Sequence, residues 1–356
     1  MIPLFKVLMS PDAKHRVAEV LESGYVAQGP KVKEFEEELG KILGGPVLTV
    51  NSCTSALDLA MHLCGVGPGT EVLTSPLSCS ATNSPIVTKG ARPVWVDINP
   101  TTGLISPSNA ADKITNRTVA VVVVDWEGRA CDYDSLRKVI PSHIPIIRDA
   151  AHSFGNPTPG GDYICWSLQA IKHLTAGDGG ILRVPEEQYQ RVKLLRWYGL
   201  DREGSASFRC QQNIQEVGYK YHMNDIAATI GLANLPLALE CLNKNRKNAK
   251  SLYDILMKRS YLSPLTVPSF DTNSSYWFFT VLAPRRDHLI EYCREHGFET
   301  SPVHARNDKH VGFNYPNGIL PGVDYFSNRN VGIPVGWWLT TGDIEMIGEA
   351  LSKYEV

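Results

Sequence analysis

The chain has 356 residues, and its hydrophobic content of 43% is enough to fill the cores of about two domains. Its 35 lysine and arginine residues are balanced by 37 acidic ones, so the composition favours neither nucleic acid nor a membrane surface as a partner. The eight cysteines include no C-x-x-C pair, and no signal segment or bilayer-length apolar run is apparent. We therefore expect a cytoplasmic protein with reduced thiols and no metal site.

Short β-branched runs alternate with amphipathic segments of helical length through the first two thirds of the chain. The predicted strands cover residues 46–50, 71–75, 93–97, 119–125, 144–148, 163–167 and 180–184. The predicted helices between them cover residues 55–63, 78–88, 106–115 and 132–139. Strand 119–125 lacks polar alternation, which is typical of a strand covered by helices on both faces. The pattern predicts an α/β sandwich on a largely parallel sheet of about seven strands.

The last third of the chain has a different pattern. A helical pattern runs from residue 223 to 257 and is interrupted only at Pro236. A strand-like run at 275–282 and helices at 286–296 and 341–354 follow. We expect a large domain over residues 1–235, with an N-terminal arm, and a small α+β domain over residues 236–356. The common signatures of nucleotide hydrolases, Rossmann dehydrogenases and zinc proteases are missing from the sequence.

The first chemically informative residue is Asp149, which ends an apolar strand and precedes two alanines and His152. Ligands of α/β sheets bind beyond the carboxyl ends of the strands, which is where this carboxylate falls. A carboxylate there can keep a pyridine nitrogen protonated, so that the ring accepts electrons. Taken alone, however, Asp149 is equally well explained as a helix N-cap.

Lys172 lies in an apolar, small-residue stretch between two predicted strands and is followed by several glycines. A lone lysine is usually a solvated surface group. Partial burial would lower its pKa and make the amine a better nucleophile toward an aldehyde. Ser167, at the end of the preceding strand, is suitably placed to donate a hydrogen bond to a phosphate.

A third segment, residues 51–57, follows the first strand and opens a helix. Its small hydroxyl residues and the free amides of a helix N-terminus suit an anion, although Ser and Thr are also ordinary helix caps. One cofactor that carries an aldehyde, a pyridine ring and a phosphate would use this segment together with Asp149 and Lys172. The three segments therefore support one another.

In the order and spacing of these motifs the sequence resembles the DegT-type nucleotide-sugar aminotransferases, a family of fold-type I enzymes that use pyridoxal 5'-phosphate (PLP). The resemblance covers nearly the whole chain. Besides the three segments above, it includes residues 24–30, 177–180, 218–225, 303–308 and 333–339. It implies the fold-type I α/β architecture with a mainly parallel seven-stranded sheet.

The resemblance also implies roles for individual residues. Lys172 carries PLP as a Schiff base, Asp149 holds the pyridine nitrogen, and His152 lies near the ring hydroxyl. The positions that match the family's phosphate-binding residues are Ser52, Cys53, Thr54 and Ser167. Lys220 corresponds to a residue that reaches the phosphate from the neighbouring subunit, so the resemblance implies a homodimer with shared active sites. The residues in substrate-proximal segments are Gln28, Trp197, Tyr198, His304 and Arg306.

Three positions depart from the family pattern. Cys53 stands where the family usually has glycine, and His222 stands where arginine is common. Cys79 takes the place of the aromatic residue that normally stacks on the cofactor ring, so the stacking is weaker or comes from elsewhere.

Arg306 could pair with a substrate diphosphate or form a surface salt bridge, and Arg196 is an equally plausible anion clamp.

The resemblance implies transfer of an amino group from glutamate to the keto group of a nucleotide-linked, 4-keto-6-deoxy sugar, as in deoxyamino-sugar and polysaccharide biosynthesis. Two alternatives remain open, a PLP-dependent sugar dehydratase and a PLP-binding regulatory protein. Some dehydratase relatives replace the Schiff-base lysine with histidine. Here Lys172 is retained and His173 follows it, which favours the transaminase. A PLP-binding regulatory protein would keep Lys172 without transaminating.

Overall fold

The computed structural model describes residues 1–204, 208–258, 263–313, 315 and 318–355. The strands are β1 (Leu48–Val50), β2 (Glu71–Thr74), β3 (Arg92–Trp95), β4 (Thr118–Val124), β5 (Ile146–Asp149), β6 (Tyr163–Ser167), β7 (Gly180–Arg183), β8 (Phe279–Leu282) and β9 (Asn330–Ile333). The helices are α1 (Ala13–Ser23), α2 (Pro30–Leu43), α3 (Cys53–Leu63), α4 (Ser80–Thr88), α5 (Pro107–Asp112), α6 (Tyr133–Val139), α7 (Glu186–Leu195), α8 (Asp225–Lys258), α9 (Arg286–Glu295), α10 (Pro321–Ser327) and α11 (Thr341–Ser352).

The first seven strands form one sheet in the order β1-β7-β6-β5-β4-β2-β3. Neighbouring strands from β3 to β6 pair in parallel, whereas β7 is antiparallel to both β6 and β1. The central strands are buried on both faces, as the lack of polar alternation predicts. The predicted α/β sandwich and all seven predicted strands are confirmed, and the reversed direction of β7 is new.

Helix α8 runs unbroken through Pro236, where an interruption was predicted. Its first half places Ala228 and Leu235 in a core shared with β6, and its second half places Leu252 and Leu256 in a core shared with β8 and β9. By length and composition, α8 is the one helix of the described ranges that could cross a membrane. Half of its most apolar window is buried, however, as in the core helix of a globular protein. The division of the chain at residue 235 falls within this helix and stays a prediction.

The C-terminal third is built on an antiparallel pair, β8 and β9, against which α9 and α11 pack. The predicted strand at 275–282 begins only at Phe279, because Tyr276 has a left-handed φ of 45° that interrupts the extended backbone. The N-terminal segment returns to this region. Ile2 pairs with Phe298, and the ring of Phe5 stacks on that of Trp277 with centroids 4.3 Å apart.

Candidate active site

A pocket of about 350 Å³ lies at the carboxyl ends of β4, β5 and β6, the edge where ligands of α/β sheets bind. Each of these strands ends in a residue that lines it: Val124, Asp149 and Ser167. The predicted site residues that line this one pocket are Ser52, Cys53, Thr54, Cys79, Asp149, His152, Ser167, Lys172 and His304. The topology therefore brings together residues from distant parts of the chain.

Asp149 is buried at the end of β5, and its carboxylate accepts two protein hydrogen bonds. Thr82 Oγ1 donates to Oδ2 at 2.7 Å, and the backbone N–H of Ala151 donates to Oδ1 at 3.1 Å. Burial raises the pKa of this carboxyl, while the two hydrogen bonds and Lys172 act in the opposite direction. No helix follows between β5 and β6, a stretch that the structure describes completely, so the helix N-cap explanation is wrong.

Lys172 lies partly buried in the loop between β6 and β7, with Nζ 3.3 Å from the ring centroid of Trp277. Burial lowers the pKa of this amine from 10.5 to about 7, and Asp149 partly offsets the shift. The indole is itself fixed, because Trp277 Nε1 donates to the backbone oxygen of Ile171 at 2.9 Å. A large fraction of the amine is therefore neutral and nucleophilic at neutral pH.

The N-terminus of α3 forms another wall of the pocket. Ser52 is the N-cap, and its hydroxyl accepts from the backbone N–H of Ser55 at 3.0 Å. The N–H groups of Cys53 and Thr54 have no intrahelical acceptor and favour an anion. Gly180 makes this arrangement possible, because a Cβ there would lie 2.5 Å from the backbone oxygen of Ser52. Thus β7, which leads away from the Lys172 loop, packs directly against the predicted phosphate site.

Two histidines that line the pocket contact each other. The rings of His152 and His304 are stacked with centroids 5.3 Å apart, and their Nε2 atoms are separated by 3.3 Å. Burial lowers the pKa of His304 to about 3 and that of His152 well below its usual value, and nearby Lys172 acts in the same direction. Both rings are therefore neutral at pH 7, and one Nε2 must donate while the other accepts.

Besides Arg306, four predicted site residues lie outside this pocket. Lys220 is exposed, and its backbone oxygen accepts from Asn51 Nδ2 at 3.2 Å. Gln28 and Trp197 line a separate pocket of about 330 Å³. Tyr198 follows Trp197, is 39% exposed and has a left-handed φ of 57°. Within one subunit, these four residues therefore form a group apart from Lys172.

The two arginines considered as anion clamps are both paired with carboxylates. Arg196 is fully buried, forms an ion pair with Glu36 and donates to the backbone oxygen of Thr49 at 2.8 Å, so its predicted role as an anion clamp is wrong. Arg306 pairs with Asp308 at 2.7 Å and also with Asp324. The surface salt bridge considered for Arg306 is thus present.

Arg306 also lines a cavity of about 730 Å³ that shares His304 with the Lys172 pocket. His222, at the position where the family often has arginine, packs edge-on against Trp197 with centroids 3.7 Å apart. Burial, followed by nearby Arg202, lowers the pKa of His222 to about 4. This ring therefore does not supply the positive charge of an arginine at neutral pH.

The pocket residues that were not predicted include Ser78, Thr82 and Trp277. Ser78 and Thr82 are four residues apart at the start of a predicted helix, a spacing that puts two hydroxyls on one face. That spacing, directly after a strand next to β4, could have indicated them. Trp277 comes from the C-terminal third, and no local pattern indicates its contact with Lys172.

Comparison with known proteins agrees with this site. The model of the DegT/DnrJ/EryC1/StrS aminotransferase family matches residues 8–352. The sugar aminotransferase CalS13 from Micromonospora echinospora is 35% identical, covers 99% of this chain and 100% of its own, and superimposes with a TM-score of 0.92. AtS13 from Actinomadura melliaura is 37% identical, covers 100% and 99%, and has a TM-score of 0.93.

A third relative is the spore coat polysaccharide biosynthesis protein SpsC of Bacillus subtilis. It is 30% identical over 98% of this chain and 96% of its own. Both the family match and these similarities extend over nearly the full length of the chain. The chain therefore belongs to the DegT/DnrJ/EryC1/StrS aminotransferase family and is, by that membership, a PLP-dependent sugar aminotransferase.

Proposed function

We propose that this enzyme transfers the amino group of glutamate to the keto group of a nucleotide-linked 4-keto-6-deoxy sugar. In this proposal it acts in the cytoplasm as a homodimer, with PLP held in the Lys172 pocket. The observation that carries the proposal is that the amine of Lys172, the carboxylate of Asp149 and the open N-terminus of α3 all line one pocket.

The residues present fit both the phosphate and the ring nitrogen of PLP. The N–H groups of Cys53 and Thr54, with the hydroxyls of Ser52 and Ser167, suit a phosphate dianion. Asp149 keeps acceptor positions open toward the pocket for a protonated ring nitrogen. When bound, PLP supplies an aldehyde that captures amines and a ring that withdraws electrons.

Lys172 has two roles in this proposal. Because its pKa is about 7, the neutral Nζ can attack an aldehyde, and after release it can accept a proton from the α-carbon of glutamate and deliver it within the site. Asp149 holds the proton on the ring nitrogen. His152, neutral at pH 7, can accept or donate a hydrogen bond at the ring hydroxyl without adding charge. Cys79, at the position where the family has an aromatic residue, provides no ring that could stack on the cofactor.

The sugar substrate is proposed to enter past His304, which lies between the Lys172 pocket and the larger cavity that contains Arg306. Gln28, Trp197 and Tyr198 lie outside their own subunit's pocket. We therefore propose that they contact substrate bound at the neighbouring subunit. Lys220 would reach that neighbour's phosphate in the same way.

Reduction and product analysis test the proposal. Borohydride treatment of the purified protein should fix a phosphopyridoxyl group on the peptide that contains Lys172, and Lys172→Ala should lose this label. A label on another lysine would contradict the assignment. The protein should then be incubated with glutamate and a panel of dTDP-, UDP- and GDP-linked keto sugars. Mass spectrometry should find an aminated sugar and 2-oxoglutarate, whereas a deoxygenated product without nitrogen would indicate a dehydratase instead.

A further inference from the structure

A short hydrogen-bonded chain of hydroxyl groups leads to Asp149. Thr82 Oγ1 lies 2.7 Å from Asp149 Oδ2, and Ser78 Oγ lies 2.5 Å from Thr82 Oγ1. Both hydroxyl residues are buried, each about 1% exposed. Neither has been assigned a role by the sequence motifs, yet both line the Lys172 pocket.

The direction of these hydrogen bonds depends on the charge of Asp149. If the carboxyl is ionised, Ser78 donates to Thr82, Thr82 donates to Asp149, and every hydroxyl proton has an acceptor. If the carboxyl is protonated and the chain reverses, the proton of Ser78 has no other protein acceptor among the described residues. A buried donor without an acceptor costs free energy, so the chain favours the ionised carboxylate.

The segment that carries these hydroxyls is itself held in place by Asn307. Asn307 Nδ2 donates to the backbone oxygen of Ser78 at 2.8 Å, and its backbone N–H donates to that of Pro76 at 2.8 Å. Asn307 Oδ1 accepts from Asn83 Nδ2, also at 2.8 Å. All three bonds are made by Asn307, which is 1% exposed, so the loop before α4 is anchored to the C-terminal third.

We propose that Thr82, oriented by Ser78, is a positioning residue that keeps Asp149 ionised and turned toward the ring nitrogen of the cofactor. Thr82 donates to one oxygen of the Asp149 carboxylate, and the N–H of Ala151 donates to the other, so the orientation of the carboxylate is fixed. The carboxylate lines the pocket, and its remaining lone pairs can accept a hydrogen bond from a protonated ring nitrogen. The inference rests on the proposed function, since it requires PLP in the Lys172 pocket.

The test compares two cofactors that differ only at the ring nitrogen: PLP and its 1-deaza analogue, in which CH replaces that nitrogen. Thr82→Val removes the hydroxyl and keeps the shape of the side chain. Because a hydrogen bond to a charged group is lost, Thr82→Val should weaken PLP binding by about tenfold or more and leave binding of 1-deaza-PLP unchanged. Ser78→Ala should weaken PLP binding by a smaller factor, and Thr82→Ser, which keeps the hydroxyl, should bind PLP as tightly as the wild-type protein.

Thr88→Val is the matched control, because it makes the same change on the same helix at a hydroxyl that bonds only to the backbone oxygen of Pro85. A direct readout is the NMR chemical shift of ¹⁵N in the labelled ring, which should move toward the unprotonated value in Thr82→Val. Equal loss for both cofactors, or no loss for either, would overturn the inference. If Thr82→Val does not fold, Ser78→Ala and Thr82→Ser still decide it by the same comparison. Failure of the wild-type protein to attach PLP at Lys172 would instead contradict the proposed function.

Discussion

The lowered pKa of Lys172 gives a quantitative prediction for cofactor capture. With a pKa of about 7, about half of the Lys172 amines are neutral at pH 7, whereas an amine with the ordinary value of 10.5 is neutral in only about 1 molecule in 3000. The first-order rate at which the cofactor-free enzyme captures saturating PLP should therefore rise with pH and reach half its maximum near pH 7. Stopped-flow absorbance measures this rate directly.

Asp149→Asn tests the cause of this shift. The carboxylate of Asp149 raises the pKa of Lys172 and so opposes the larger effect of burial. Removing this negative charge while keeping the shape should lower the pKa further, so the midpoint of the capture profile should move below pH 7. The PLP aldehyde and phosphate are the same in both proteins, so their own titration cancels in the comparison. A wild-type midpoint near pH 10, or a midpoint that rises in Asp149→Asn, would refute the reasoning.

The same pKa has a consequence for stability. Between pH 7 and pH 10.5 the unfolded chain holds a proton on Lys172 that the folded, cofactor-free protein has largely lost. Stability rises with pH wherever the unfolded state binds more protons, so this residue should make the free energy of unfolding increase across that window. Lys172→Met should flatten that increase in urea titrations.

Three further outcomes are expected. Asp149→Ala should reduce turnover by orders of magnitude with only a small change in melting temperature, and near-normal turnover would place the pyridine partner elsewhere. Mixing inactive Lys172→Ala and Lys220→Ala subunits should restore activity above that of either parent, because mixed dimers contain one site without either lesion; failure despite confirmed subunit exchange would place Lys220 outside the partner's site. Asp125→Ala should lower the free energy of unfolding in urea by about 3–5 kcal/mol, because the buried Arg148 loses the carboxylate with which it pairs at 2.7 Å. A loss below about 1 kcal/mol would contradict that account.

The sheet and the main anchors of the site could be predicted because each depends on a local pattern. Lys172 and Asp149 stand next to strands whose apolar runs are unmistakable, and residues 52–54 open a helix directly after a strand. Local patterns do not determine which strands are neighbours or in which direction they pair. The antiparallel direction of β7 could therefore not be predicted. Gly180 of β7 packs against Ser52, which is a contact between distant segments that no local pattern contains.

The errors have the same origin. Arg196 follows α7 in a segment that resembles a substrate site, but its charge is neutralised by Glu36 in α2, far away in sequence. Trp277 could not be predicted to contact Lys172, since only the folded chain brings residue 277 to the β6–β7 loop. Partners of buried charged and aromatic side chains are set by tertiary packing, which no short window of sequence contains.

The position of Phe5 bears on how the protein should be handled in the laboratory. Its ring stacks on Trp277, and Trp277 in turn contacts the amine of Lys172. Trimming the first five residues would remove that ring, and a bulky affinity tag fused before Ile2 would strain its pairing with Phe298. Either change would loosen the support behind Lys172, although neither Ile2 nor Phe5 lines the pocket itself.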